Sequence, residues 1–232
     1  MKIFAISDLH LSESDSKTMD VFGEQWEGHF EKIAYDWTRN VSEEDAVLIP
    51  GDISWAMHLE EAFYDLKKIA DLPGRKVILR GNHDYWWSSI SRLRNLLPEG
   101  MYAIQNDSLA LDGSIVCGSR GWLAPGSPVY SADDDKVYKR ELIRMEISLQ
   151  NGSMRAEGRP VIAMIHYPPV SEKKEGTGFS KLFTKYLVKH VVYGHLHGRG
   201  SANAFEGLYD GVMYHHVSCD HTDFRLKLVL EP

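Results

Sequence analysis

Lys76-Val77-Ile78-Leu79-Arg80-Gly81-Asn82-His83-Asp84 decides how this chain is read. An apolar, β-prone run breaks off, and a glycine, an amide, an imidazole and a carboxylate come soon after. The same pattern occurs four more times. Lys2 to Ile6 leads into Asp8-Leu9-His10, Ala46 to Ile49 into Gly51-Asp52, Val161 to Ile165 into His166, and Val191 to Tyr193 into Gly194-His195-Leu196-His197. Polar residues at the ends of buried strands collect on one rim of a sheet, where open α/β folds place their chemistry.

Helical spacing fills the gaps between the first of these strands. Trp26, Phe30, Ile33 and Trp37 mark a helix over Glu24 to Arg39. Leu59, Ala62, Phe63, Leu66 and Ile69 mark a second over Leu59 to Ile69, and Trp86 to Leu97 reads as a third. Pro73-Gly74 and Pro98-Glu99-Gly100 punctuate their ends. This alternation predicts an α/β protein with sheets flanked by helices. From Met101 the strands become shorter, including Leu109 to Leu111 and Ile115 to Gly118. A Pro/Gly-rich loop over Gly121 to Asp135 then leads into a helix from Lys136 to Gln150. Ser171 to Gly178 reads as a polar, mobile segment, and Val212 to Ser218 and Arg225 to Leu230 as closing strands. Without repeats, low-complexity tracts or a linker, residues 1–232 are expected to form one domain.

Composition narrows the function classes. The 232 residues are 43% hydrophobic and 25% charged, ordinary values for a globular chain. A net charge of −7 leaves no electrostatic footprint for a nucleic-acid backbone. No apolar stretch approaches membrane-spanning length. The opening Met1 to Asp8 carries one basic residue and a short apolar run ended by a carboxylate, so it reads as a first strand and not a secretion signal. The two cysteines, Cys117 and Cys219, are too few for a disulfide framework or a thiolate zinc cage, and both are expected to be reduced and buried. A cytoplasmic location is the simplest expectation.

The polar islands are suited to holding cations. Asp8 and His10 stand two apart, so in an extended segment they point the same way and can grip one ion. Asp52 follows a glycine that lets the chain turn sharply, and its two oxygens can bridge two ions. His195 and His197 repeat the two-residue spacing, Asn82 offers an amide oxygen, and His166 adds an imidazole. Mixed N/O donors without thiolate suit Mn, Fe, Zn or Ni and fit poorly with a structural zinc. Taken singly, Asp8, Asp52 and Asn82 could be ordinary turn residues that satisfy loop amides. Their joint occurrence with four histidines in order speaks against that.

In this order, D-x-H, G-D, G-N-H-D, H and G-H-x-H, the chain resembles the calcineurin-like metallophosphoesterase superfamily, over residues 8 to 197. The resemblance implies a four-layer αββα sandwich of two mixed β-sheets, with the metal site at one edge. It also implies two divalent or trivalent metal ions, with Mn favoured. Asp8, His10, Asp52 and His197 would surround one ion, and Asp52, Asn82, His166 and His195 the other, with Asp52 the bridge. The implied activity is that of a di-metal phosphohydrolase in which a bridging hydroxide attacks phosphorus directly. His83 would stabilise the transition state or protonate the leaving group, and Asp84 would orient it. Trp55 replaces a residue that is acidic in many members, which argues against the phosphoprotein-phosphatase branch. Arg80 has a counterpart in that branch that contacts phosphate, and is a candidate substrate contact here.

The expected partner is a small-molecule phosphate ester, a phosphodiester or a phosphomonoester, with a small nucleotide-like phosphodiester favoured because a chain this short has no spare domain for gripping a large partner. Two rivals are a non-catalytic metal-binding scaffold, which the presence of His83 and all seven ligand positions opposes, and a nuclease, which the acidic balance opposes. His29, His58 and His190 read as surface or helix-face residues, and of His215 and His216 at most one should face inward. His221 is an outside candidate for the rim of the site. Trp55, Trp86, Trp87 and Trp122 could wall the cleft or pack the core. Asp133-Asp134-Asp135 reads as a helix start and not a third metal site.

Overall fold

The computed structural model describes residues 1–13 and 19–231. Strands alternate inward and outward, and that period organises the molecule. Strands β1 (Ile3–Ala5), β2 (Ala46–Ile49), β3 (Arg75–Leu79), β4 (Met101–Ile104) and β11 (Lys227–Leu230) form one sheet in the order β11-β1-β2-β3-β4. Strands β5 (Ser108–Leu111), β6 (Ser114–Gly118), β7 (Val161–Met164), β8 (His190–Tyr193), β9 (Gly207–Tyr209) and β10 (Val212–His216) form the other, in the order β5-β6-β7-β8-β10-β9. Pairing is parallel through the middle of each sheet. It is antiparallel where β11 meets β1, β5 meets β6 and β9 meets β10.

One set of alternating residues, including Ile3, Ala5, Leu48, Val77, Val116, Ile162, Met164 and Val192, meets between the sheets. The opposite faces receive helices. Phe4, Val47, Ile49 and Ile78 pack with Ile33 and Trp37 of α1 (His29–Asn40), with Ala62, Leu66 and Ile69 of α2 (Leu59–Ala70) and with Leu93 of α3 (Ile90–Leu96). Ile115, Cys117, Ala163, Val191 and Tyr193 pack with Tyr138, Met145 and Leu149 of α4 (Ala132–Arg155) and with Phe179 and Phe183 of α5 (Gly178–Lys185). The result is the expected αββα sandwich. No helix among the described residues is long and apolar enough to cross a membrane.

Several boundaries differ from the sequence expectation for physical reasons. The first helix is interrupted: Glu24–Trp26 form a 3-10 turn, and Gly28, at φ 57°, turns the chain before α1 begins. Helix α3 starts at Ile90 and not Trp86, because Trp86 and Trp87 are drawn into the core and their indole N–H groups donate to Asp84 and Gln105. Helix α4 is longer at both ends than expected. Ser131 and Asp134 form a capping box at its start, so the acidic run is a helix N-terminus. Helix α5 has no counterpart in the sequence expectation. Ser171 to Gly178 closes as a hydrogen-bonded turn, with Ser171 N–H donating to Glu175 O at 2.9 Å. Cys117 and Cys219 are both buried thiols.

Candidate metal centre

All five polar islands lie just beyond strand ends of the two sheets and meet at one edge of the sandwich. Their backbones do not continue the strands. Asp8, His10, Asp52 and His195 all have positive φ, at 60°, 46°, 53° and 75°. The Asp8/His10 pair therefore converges through tight turns and not through an extended segment, which corrects the sequence expectation. Each such residue costs on the order of 1–2 kcal/mol, a strain that collects at functional sites. The motif glycines are explained by crowding. A Cβ on Gly81 would run into Asp52 Oδ1 and N, and one on Gly194 would run into Asp8 Oδ2 and Ser7 Oγ.

Two donor groups share this edge. Asn82 Oδ1 lies 2.7 Å from His166 Nε2 and 2.8 Å from His195 Nδ1, and those two ring nitrogens are 3.3 Å apart. Asp52 Oδ2 is 3.4 Å from His166 Nε2 and 3.8 Å from His10 Nε2, so it stands between this group and the next. Asp8, His10 and His197 bring one donor atom each within 4.8 Å of one another. All seven expected ligand residues are thus brought together.

The donor set fits cations. His10 Nδ1 and His197 Nε2 are buried and make no hydrogen bond, although His197 Nε2 lies 3.2 Å from Asp8 Oδ1. Imidazole, carboxylate and amide oxygen are the ligands of Mn, Fe, Zn or Ni, and no thiol enters the site. The electrostatics call for positive charge. Against burial, the imidazoles hold Asp52 at about 2 and, with His197 foremost, Asp8 well below the carboxylate range. His166 is raised to about 9 by Asp52, and His197 to about 10 by Asp220 and Asp8, in both cases against burial. Burial drives His10 down to about 4 and His195 to about 3, so the other imidazoles stay neutral donors.

Supporting contacts fix the ligand rings. His166 Nδ1 lies 2.9 Å from Pro50 O, which leaves Nε2 to face Asn82 and Asp52. His197 Nδ1 lies 2.9 Å from Asp220 Oδ1, while Asp220 Oδ2 accepts from Gly198 N–H at 3.0 Å. Asp220 was missed in the sequence, where it lies in the turn after β10 with no spacing signal. Asp8 Oδ2 accepts from Ser7 Oγ and from Ser218 Oγ, and His195 N–H donates to the same carboxylate at 3.1 Å.

Around His83 the arrangement is more specific than expected. Its backbone N–H donates to Asp52 Oδ1 at 2.8 Å, and its ring stands 4.7 Å from Trp55 and 5.6 Å from His10. Asp84 is fully buried. Its two oxygens accept from the backbone N–H groups of Asp52, Ile53, Ser54 and Gly81 and from Trp86 Nε1, at 2.7 to 3.2 Å. Burial, with Asp52 adding, pushes its carboxyl up to about 6. These contacts tie the Gly51-Asp52 loop to the Gly81-Asn82 loop. Arg80 has a buried Nε without an acceptor.

The aromatic residues divide between wall and core. Trp55 stacks on His10 at 4.7 Å, and Trp122 packs on Tyr167, whose ring is 4.2 Å from His195. Trp86 and Trp87 are core residues. His215 and His216 are both buried, contrary to expectation, because a strand inside the sandwich is covered on both faces. His190 is half-buried and shares a 3.1 Å contact with His215, and His29 is half-buried with Nε2 2.8 Å from Leu9 O. His221 packs against His216 with its ring tilted, at 4.3 Å, and pairs with Glu206 at 3.0 Å. Together with Asp220, Gly198, Phe205 and Lys174 it lines a cavity of about 560 Å³.

A fold and a site of this kind define a phosphoester hydrolase, and comparison with known proteins agrees. The chain belongs to the calcineurin-like phosphoesterase family, whose model matches residues 1–199. These are metal-dependent hydrolases acting on phosphoester bonds. No curated protein sequence matches the chain. Among solved structures it is similar to the phosphopantetheinyl hydrolase PptH from Mycobacterium tuberculosis, with a TM-score of 0.60 at 17% identity, covering 100% of this chain and 96% of that one. It is also similar to AQ665, a protein of unknown function from Aquifex aeolicus, with a TM-score of 0.52 at 16% identity, covering 97% and 94%. At such identities the likeness is one of fold.

Proposed function

We propose that residues 1–232 act as one catalytic domain that hydrolyses a small phosphate ester, with a nucleotide-like phosphodiester the favoured substrate. Asp8, His10, Asp52 and His197 would hold one cation, and Asp52, Asn82, His166 and His195 a second. The observation that carries this reading is the position of Asp52, whose Oδ2 faces imidazoles of both groups while its Oδ1 holds the His83 backbone. If bound there, two such ions would supply positive charge to phosphoryl oxygens and lower the pKa of a water at the site, and Mn is the favoured metal.

The residues then divide the work. The attacking water gives up a proton to solvent and, as hydroxide, forms its bond to phosphorus while the bond from phosphorus to the departing alcohol oxygen breaks. His83 hands that oxygen a proton, and Trp55 keeps the His83 ring against the site. Asp84 positions both loops through the backbone instead of pairing with the His83 ring. Arg80 offers its guanidinium to a phosphoryl oxygen. The 560 Å³ cavity beside His197 suits a substrate of nucleotide size, with Phe205 as an aromatic surface.

Metal-stripped protein reloaded with Mn tests this against bis-p-nitrophenyl phosphate and p-nitrophenyl phosphate, with a His83→Ala control. Metal-dependent turnover of the diester that falls in the control, at unchanged metal content, is the expected result. Two bound metals with no turnover of either ester would leave a metal-binding scaffold.

A further inference from the structure

A second arginine follows a strand end on the same rim as Arg80. Strands β3 and β6 end face to face across the sandwich: a Cβ added to Gly118 would lie 3.3 Å from Leu79 Cδ1. Arg80 follows the first strand end by one residue and Arg120 follows the second by two. Arg120 is anchored to the metal centre through its backbone, because its carbonyl accepts from His166 N–H at 3.0 Å. Its guanidinium lies 4.6 Å from the centre of the Trp122 ring. That ring packs on Tyr167, and Tyr167 packs on His195. A continuous aromatic platform therefore runs from a metal-ligand position to the Arg120 charge.

Neither guanidinium is neutralised. Among the described residues no carboxylate comes within ion-pair distance of Arg80 or Arg120. The nearby buried Glu141 is engaged by Arg144 at 2.6 Å and Arg140 at 3.9 Å. Burial lowers the Arg120 pKa, Glu141 offsets part of this, and the Arg80 charge adds to the fall. Trp122 donates its indole N–H to Asp134 at 2.8 Å, so it offers the guanidinium only its face. A partly buried guanidinium without a carboxylate partner forms a site that an anion would complete. A stacked guanidinium is also preorganised for bidentate recognition of phosphate or carboxylate.

We propose that Arg120, held on the Trp122 face, forms an anion subsite on the His195 side of the metal centre, with Arg80 left to the phosphoryl group that is hydrolysed, and that the natural substrate carries a second anionic group. This rests on the phosphoester reading above. It narrows the substrate class to bisphosphorylated or carboxylated phosphate esters.

Three probes of equal chain length test it: propyl phosphate, 3-(phosphonooxy)propionate and propane-1,3-diol bisphosphate. Each is measured by calorimetry on Mn-loaded protein and as an inhibitor of bis-p-nitrophenyl phosphate turnover. The two doubly anionic probes are expected to bind about tenfold or more tightly than propyl phosphate, the size of one charge-assisted hydrogen bond. Whichever of the two binds more tightly identifies phosphate or carboxylate as the second group. In Arg120→Gln that advantage should fall below about threefold, and Arg120→Lys should lie between. Metal content and thermal unfolding are recorded for each variant. Equal binding of all three probes to the unmodified protein overturns the subsite, as does an advantage that persists in a folded, metal-loaded Arg120→Gln. Absent turnover with the calorimetric preference intact would sink the hydrolase reading and leave the subsite standing.

Discussion

His166 and His197 occupy comparable places in the two donor groups, at very different depths. The His166 ring is completely buried, its Nδ1 tied to the backbone carbonyl of Pro50. His197 is a third exposed, its Nδ1 tied to the Asp220 carboxylate in the turn after β10. One half of the centre thus contains a ring tied to the backbone at a strand end, and the other a ring on a partly exposed loop, held by the Asp220 carboxylate and facing the buried Asp8. A backbone carbonyl keeps its place as long as the sheet persists, whereas a carboxylate can be lost to one substitution. We expect the ion on the His166 side to be retained and the one on the His197 side to exchange.

The largest effect should come from Asp52, which belongs to both halves. Asp52→Asn removes a charge that faces both donor groups, and kcat/KM should fall by about 10⁴ or more, equivalent to about 5 kcal/mol. Mass spectrometry should find fewer than two metals per chain; full loading with full activity would show that Asp52 is not shared. His83→Ala should lower kcat by about 10³ while both metals stay bound. Loss of metal in that variant would make His83 structural.

Asp84→Asn tests the buried backbone contacts that tie the Asp52 loop to the Asn82 loop. The amide would turn an NH₂ group toward backbone N–H donors that now meet a carboxylate oxygen, at a cost of about 3 kcal/mol in unfolding free energy. Denaturant unfolding of metal-free protein would show it. The sign of the pH effect is also defined. The Asp84 carboxyl is raised to about 6 in the folded protein from 3.8, so its contribution is most favourable below pH 3.8 and is lost as pH rises through 6. The unfolding free energy of Asp84→Asn should lack that component.

Asp220→Asn tests the exposed half. Loss of this carboxylate partner should weaken one metal site by 10–100-fold, the usual size for such contacts, and leave the other unchanged. Equal weakening of both ions in calorimetric titration would erase the contrast between the halves.

Most of the rim is legible in the residues themselves, because each island is a local event: a buried strand ends and a donor follows. The apolar runs Val77-Ile78-Leu79 and Ile162-Ala163-Met164 marked strands, the two-sheet sandwich followed from the family resemblance, and the helices that cover the sheets were expected at α1, α2 and α4. Other features were not legible. Helix α3 starts four residues later than its periodicity indicates because Trp86 and Trp87 found partners in Asp84 and Gln105. The burial of both His215 and His216, on opposite faces of β10, follows from coverage of that strand on two sides, which no window along the chain records.

The sequence by itself determined the chemistry of the donors, their order, and their attachment to strand ends, since these depend on residue type and short-range periodicity. The tertiary structure alone decided that Asp220, 23 residues from His197 along the chain, would support that ring. It alone turned Asp84 toward the backbone of two loops, and set the Arg120 guanidinium on the Trp122 ring. Such contacts arise from the packing of one sheet on the other, and neither residue type nor spacing encodes which surfaces will meet.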